Sequence, residues 1–311
     1  MHDIDKSNVF VPRDDELDLK EILLALKNDK WIVVSLTTFI SIIGVIYSLL
    51  LPDIYQSRAL LVSSSPNNQS GLSQSYSSLA SLAGVEILED SESNSIQALE
   101  KLKSLSFFEN DFLPYIFLPD LMAFNFWDSI SNTTEYDERI YDDISNTWIK
   151  ESSLSKKSIP SVQESFDKFI KHHLSIETDN KTSFVTVEIK HKSPYIAKEW
   201  TNLLIDQIND FYRKKDKDEA ERASNYLNTL LVKTNLSEIK EVIAKLIQQE
   251  TQKLTLIEAN EFYVYEFIDP PAVMEKKSEP NRILIWILSV FFSLIISFIS
   301  VLFRYYFLKR N

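Results

Sequence analysis

The stretch ILIWILSVFFSLIISFISVLF, Ile283 to Phe303, holds 21 residues without a single charge. Directly before it stands PPAVMEKKSEPNR, Pro270 to Arg282, with three prolines and five charged residues. At ~1.5 Å per residue the apolar run reaches about 30 Å as a helix, the thickness of a bilayer's hydrocarbon layer. A second uncharged run of the same length, WIVVSLTTFISIIGVIYSLLL, extends from Trp31 to Leu51. In lipid a helix satisfies each backbone donor and acceptor within its own segment, so both runs are expected to span a membrane. Uncharged runs this long are rare in the core helices of soluble proteins. A cleaved signal peptide does not fit the first run either: it is too long, and Leu51-Pro52-Asp53 is no small-residue cleavage site.

Two spans divide the chain into a head (1–30), a span (31–51), a central region (52–282), a second span (283–303) and a tail (304–311). Arg13, Lys20, Lys27 and Lys30 precede the first span, and only Arg58 closely follows it. Positive charge marks the cytoplasmic side, so the head is expected inside the cell and the central region outside. Around the second span Lys276, Lys277 and Arg282 balance Arg304, Lys309 and Arg310, and the first span decides. The central region carries 37 acidic and 25 basic residues, hence the whole formal charge of −12. Such an acidic surface argues against nucleic acid as a partner. Cysteine is absent, so disulfides and thiol chemistry are excluded.

Within the central region, Ile54 to Ser63 reads as a strand, Ser63 to Ser78 as a polar loop, and Leu79 to Ile87 as its apolar exit. Ser95 to Leu105 has helical spacing, Phe107 to Trp127 predicts short helices and turns, and Ser129 to Ser158 reads as a surface insertion without periodicity. Ser161 and Glu164 form a capping box for a short helix. Two strands follow, His173 to Thr178 and Ser183 to Lys190. In the second, Val185, Val187 and Ile189 alternate with polar residues as in a sheet buried on one face. A last strand runs from Phe262 to Ile268.

Between these strands no Gly or Pro interrupts Tyr195 to Lys233. An apolar stripe passes through Trp200, Leu204, Ile208 and Phe211, crosses the charged run RKKDKDEAER, and resumes at Tyr226 and Leu230. A helix of this length measures ~60 Å at ~1.5 Å per residue. Asn235 and Glu238 suggest a capping box for a returning helix. The expected architecture is therefore α+β: a base (52–193 and 260–282) and a long projecting helical hairpin (194–259). The hairpin's stripes are expected to be hidden in part by neighbouring copies.

Little chemistry is available. The three glycines, Gly44, Gly71 and Gly84, cannot build a phosphate-binding loop. His172, His173 and His191 are expected at the surface without a metal, paired carboxylates sit in charged runs, and no nucleophile has a supporting motif. No catalytic residue and no cofactor is expected. The second span does carry Ser289, Ser293 and Ser297 at four-residue spacing, and the first has Gly44 and Ser48 likewise. Small residues in this pattern let another helix approach closely.

Taken in order, DDELDLKEILLALKNDKW, LPDIYQSRALL, HKSPYIAKEWTNLLIDQIN, AERASNYLNTLLVKTNLSEIKEVIAKLIQQETQKLTL and FIDPPAVMEKKSEPNRILI resemble the Wzz-type chain-length determinants almost end to end. These are the polysaccharide co-polymerases of Gram-negative inner membranes. The resemblance implies a non-catalytic regulator that sets the repeat number of a lipid-linked polysaccharide, usually lipopolysaccharide O antigen. It implies ring-like homo-oligomers, a membrane O-antigen polymerase as partner, and a periplasmic α/β base with long helices. Enterobacterial common antigen or capsule as the polysaccharide, or a scaffold role, is the alternative. The family's proline-rich strip corresponds to Pro270, Pro271 and Pro280, expected to act as a stiff tether, with Lys276, Lys277 and Arg282 at lipid head groups. Relatives commonly carry glycines where this second span has serines.

Overall fold

The computed structural model describes residues 29–64, 90–149 and 159–310. The elements run α1 (Lys30–Leu50), β1 (Tyr55–Ser63), α2 (Asp90–Leu102), α3 (Leu118–Met122), β2 (Phe124–Asp128), β3 (Thr133–Tyr136), β4 (Tyr141–Asp142), β5 (Thr147–Trp148), α4 (Val162–Lys168), β6 (Leu174–Thr178), β7 (Val185–His191), α5 (Pro194–Lys233), α6 (Ser237–Ala259), β8 (Tyr265–Asp269) and α7 (Arg282–Arg310). They form two compact units, Met1–Pro52 with Glu279–Asn311, and Asp53–Ser278. The expected head through residue 28, the polar loop with its apolar exit (65–89) and residues 150–158 of the insertion lie outside the described residues.

In the unit Asp53–Ser278 a four-stranded antiparallel sheet has the order β6-β7-β1-β8. Its buried face follows from the alternation along β7: Val185, Val187 and Ile189 point inward, with Leu61 opposite Val185 and Ala59 opposite Val187. The first half of α5 lies on that face. Trp200, Leu204, Ile205 and Ile208 are buried there with Phe107, Phe108, Phe112 and Phe169. The Phe112 and Phe169 rings stand 4.7 Å apart. Fully burying an aliphatic or aromatic side chain of this size contributes roughly 1.5–3 kcal/mol. This cluster therefore dominates the unit's stability.

One polar side chain fastens the edge strand. Asn209 is buried on α5; its amide nitrogen donates to the Tyr265 carbonyl at 3.1 Å, and its oxygen accepts from the Val264 and Tyr265 N–H groups at 2.7 and 2.9 Å. Asn209→Leu would leave three buried backbone groups without partners. The expected cost is about 2–3 kcal/mol, read as a lowered denaturation midpoint.

Three expectations need correction. The stretch Ser129 to Ser158 is no featureless insertion: with the preceding residues it builds two small hairpins, β2-β3 and β4-β5. Tyr141, in the second, is buried. Strands of two to five residues are too short to show a period of two. Nor does Asn235 cap the returning helix: α6 opens at Ser237, Leu236 holds the cap position, and Lys240 N–H bonds the Leu236 carbonyl at 3.1 Å. And His191 is buried and His173 half-buried, not at the surface. His191 is 2% exposed, its ring 5.1 Å from that of Trp200 and 5.6 Å from that of His173. The Ser161 cap does form, accepting from Glu164 N–H at 3.2 Å.

Candidate functional site: the helix seam and the proline strip

Among the described residues, the unit Met1–Pro52 with Glu279–Asn311 holds two apolar helices side by side. Both α1 and the stretch Arg282–Phe307 of α7 are long and apolar enough to cross a membrane. Their large side chains, such as Phe39, Ile43, Phe291 and Phe292, point outward. What lies between the helices is small. A Cβ added at Gly44 would collide with Ser289 Cβ, so the backbones approach as closely as this pair of residues permits. The Ser41 and Ser293 hydroxyls lie 3.2 Å apart, and those of Thr37 and Ser297 2.8 Å apart. Ser48, Ser293 and Ser297 are fully buried.

The direction of these bonds follows from proton counting. Ser293 donates its only hydroxyl proton to Val290 O at 2.7 Å, and Ser297 donates to Ser293 O at 2.8 Å. Across the seam, then, the Ser41 and Thr37 hydroxyls are the donors. Farther along, Arg304 Nη1 approaches Asp29 Oδ1 at 3.9 Å. The partner of the serine face is thus the chain's own first helix. Thr37 and Ser41 escaped the sequence reading, although they continue the Gly44 and Ser48 spacing backwards.

The strip before α7 splits between the two units. Pro270 is exposed and Pro271 buried. The strip does not hang free beside β1: Ser57 Oγ donates to Ala272 O at 3.1 Å, Ser278 N–H to Ile54 O at 2.8 Å, and Ser278 Oγ to Gln56 Oε1 at 2.8 Å. Lys277, expected at lipid head groups, pairs with Asp53 at 2.9 Å. Pro280, half-buried in the other unit, follows a cis peptide bond and precedes Arg282, the first residue of α7.

Along α5 the predicted packing residues separate into two groups. Trp200, Leu204 and Ile208 are consumed by the sheet, with the partly buried Phe211 packed against the same core, so they are unavailable to another copy. Tyr226 and Leu230 lie farther along, where no residue of α5 past Ala220 is buried. There α6 returns beside α5, tied near its end by a Lys217–Glu258 ion pair and by Tyr263 OH donating to Asp216 at 2.6 Å. Tyr226 is 68% exposed, Val232 85% and Leu236 64%, and Ile239, Val242 and Leu246 are exposed with them.

Residues 15–110 match the family model Wzz, chain length determinant protein. Among solved structures, the chain is similar to a full-length bacterial polysaccharide co-polymerase at 14% identity and a TM-score of 0.47, over 94% of this chain and 99% of the other. It is also similar to a fragment of WzzB, a polysaccharide co-polymerase from Salmonella Typhimurium, at 15% identity and a TM-score of 0.33, over 73% of this chain and 100% of the fragment. No curated protein matches the sequence. The match to the Wzz model, residues 15–110, takes in the first apolar helix and the strand after it.

Proposed function

We propose that this chain is a non-catalytic regulator of lipopolysaccharide O-antigen chain length. It acts in the inner membrane as a two-pass protein with both termini cytoplasmic and residues 52–282 in the periplasm. Copies assemble into a ring beside the O-antigen polymerase, which extends a lipid-linked polysaccharide, and the ring sets the repeat number at which extension stops. The observation that carries the reading is the Wzz match over residues 15–110. The ring draws support from the large apolar side chains Tyr226, Val232, Leu236 and Val242, all exposed in a single copy. Exposed apolar surface beyond single scattered residues is a mark of an interaction site.

The test is the lipopolysaccharide ladder from a host lacking its own regulator. Expression of this chain should gather the bands around one size. An unchanged, smoothly decaying ladder, with the chain's native polymerase also supplied, would overturn the O-antigen assignment. Loss of polymer on deleting the gene would point to a scaffold instead.

A further inference from the structure

The two small hairpins are copies of one design. WDSISNT, Trp127 to Thr133, recurs as YDDISNT, Tyr141 to Thr147. In the first, Asp128 Oδ1 accepts from Ile130 N–H at 3.0 Å, Asp128 Oδ2 from Ser131 Oγ at 2.6 Å, and Ser131 lies 2.7 Å from the Thr133 hydroxyl. In the second, Asp142 accepts from Ile144 N–H at 2.9 Å and Ser145 Oγ at 2.7 Å, and Ser145 meets Thr147 at 2.7 Å. Asn132 and Asn146 both take φ 52°. Their side-chain oxygens accept from Trp127 Nε1 at 2.9 Å and Tyr141 OH at 3.0 Å. The first Asp, the Ser after the isoleucine, the Asn and the Thr of each loop are thus spent on holding the turn, and each turn lifts one isoleucine clear of the protein. Ile130 and Ile144 are both 96% exposed. Turn positions ordinarily carry Gly, Asn, Asp or Ser, and neither isoleucine contributes to the core.

Both hairpins belong to the end of the sheet from which the chain leaves for its apolar helices. Tyr55 is the fourth residue after Leu51, and four extended residues reach at most ~14 Å. The Trp127 ring stands edge-on to Tyr55 at 5.4 Å and to Tyr195 at 6.0 Å. Lys192 Nζ holds the Phe124 and Asn125 carbonyls at 3.0 and 2.9 Å. The second hairpin rests on the first through Tyr136 and Tyr141, 5.7 Å apart. At this same end Ser278, four residues before α7, bonds Ile54. Both connections to the apolar helices therefore start where the hairpins sit.

We infer that the paired loops are a membrane-surface anchor, with Ile130 and Ile144 seated in the boundary between lipid head groups and acyl chains. The occupant is the bilayer and not an anionic ligand, because the segment carries Asp128, Glu135, Asp137, Glu138, Asp142 and Asp143 against Arg139. The Asp128 and Asp142 carboxylates already hold their donors, so a drier boundary does not strip these two bare. Trp127 and the tyrosines beneath have the amphipathic rings that favour this depth. The inference rests on the apolar helices crossing the bilayer.

The chain has no cysteine, so single thiols can be placed at will. Full-length Ile130→Cys, Ile144→Cys, Thr234→Cys and Val290→Cys, each carrying a small environment-sensitive fluorophore, would be reconstituted in zwitterionic phosphatidylcholine nanodiscs. Shallow nitroxide-labelled lipids should quench the labels at 130 and 144 several-fold more than the label at 234, at low and high salt alike. Labels at 130 and 144 quenched only by aqueous iodide overturn the inference. Labels protected from both quenchers also overturn it, since a protein would then cover the loops. Val290, on the outer face of α7, should be quenched by deep nitroxide lipids. An unquenched Val290 label would sink the spanning reading and this inference with it; a quenched one isolates failure to the loops.

Discussion

Replacing Gly44 by leucine will force the two apolar helices apart. In lipid no hydrophobic gain drives helix association, so the seam depends on close packing and a few cross-helix hydrogen bonds, each contributing about 0.6 kcal/mol. At Gly44 any side chain meets Ser289 Cβ, an atom held by its own helix backbone, not the far end of a flexible side chain. Overpacking of this kind costs ~1–3 kcal/mol. Over most of that range the cost exceeds what the Thr37–Ser297 and Ser41–Ser293 bonds together return, about 1.2 kcal/mol. A Thr37→Cys/Ser297→Cys pair reads the seam directly, because those hydroxyls lie 2.8 Å apart and the chain has no other thiol. Oxidation should close a disulfide within one chain, seen as loss of alkylatable thiol without a dimer band. Adding Gly44→Leu should lower the yield by roughly tenfold, since ~1.4 kcal/mol is a factor of ten. Gly44→Ala should lower it as well, and Ser289→Gly should restore it by removing the atom in the way. Failure of that rescue, or dimer bands in the parent pair, would mean that the serine face meets another copy.

How much of this was legible beforehand depended on element length. The 40-residue α5 announced itself, because Trp200, Leu204 and Ile208 recur over many turns. In β7, Val185, Val187 and Ile189 suffice to set register and face. The same alternation reaches His191, whose burial could have been read from its place two residues after Ile189; its polarity hid that. The β2-β3 and β4-β5 hairpins leave no periodic trace, yet the repeat of WDSISNT as YDDISNT would have located both. The helix seam was half legible. Small residues mark a contact face, but a face does not name its partner, and an antiparallel return within the same chain becomes visible only when Thr37, Ser41 and Gly44 are laid against Ser297, Ser293 and Ser289. The proline strip misled for a related reason. Proline fixes a local backbone angle but says nothing of whether the strip hydrogen-bonds to a strand more than 200 residues away, as Ser278 does to Gln56.

Mild acid will weaken the sheet unit through the buried His191 and the half-buried His173. His191 uses both ring nitrogens: Nδ1 accepts from Ser193 N–H at 3.0 Å, and Nε2 donates to Asp120 O at 3.1 Å. A proton added at Nδ1 would destroy the first bond and place a charge among Trp200, Phe124 and His173. Burial, then the neighbouring His173, push His191 down to about 3. Burial pushes His173 down to about 4, although its bond to Lys190 O at 2.7 Å opposes this. In the unfolded chain both return to 6.5. Below that pH the unfolded state binds protons that the folded state refuses, so stability is full above 6.5 and falls as the pH drops toward 4. From pH 7.5 to 5 each histidine accounts for about 2 kcal/mol. Asp111, Asp120 and Asp206, raised by burial, act in the opposite sense. The net loss should be about 3 kcal/mol, measured by urea titration of the detergent-solubilised chain with tryptophan fluorescence. His191→Asn keeps an acceptor for Ser193 N–H and removes the titration. It should be less stable at pH 7.5 but lose only about a third as much between pH 7.5 and 5. An unchanged pH slope in that variant would show that the acid sensitivity lies elsewhere.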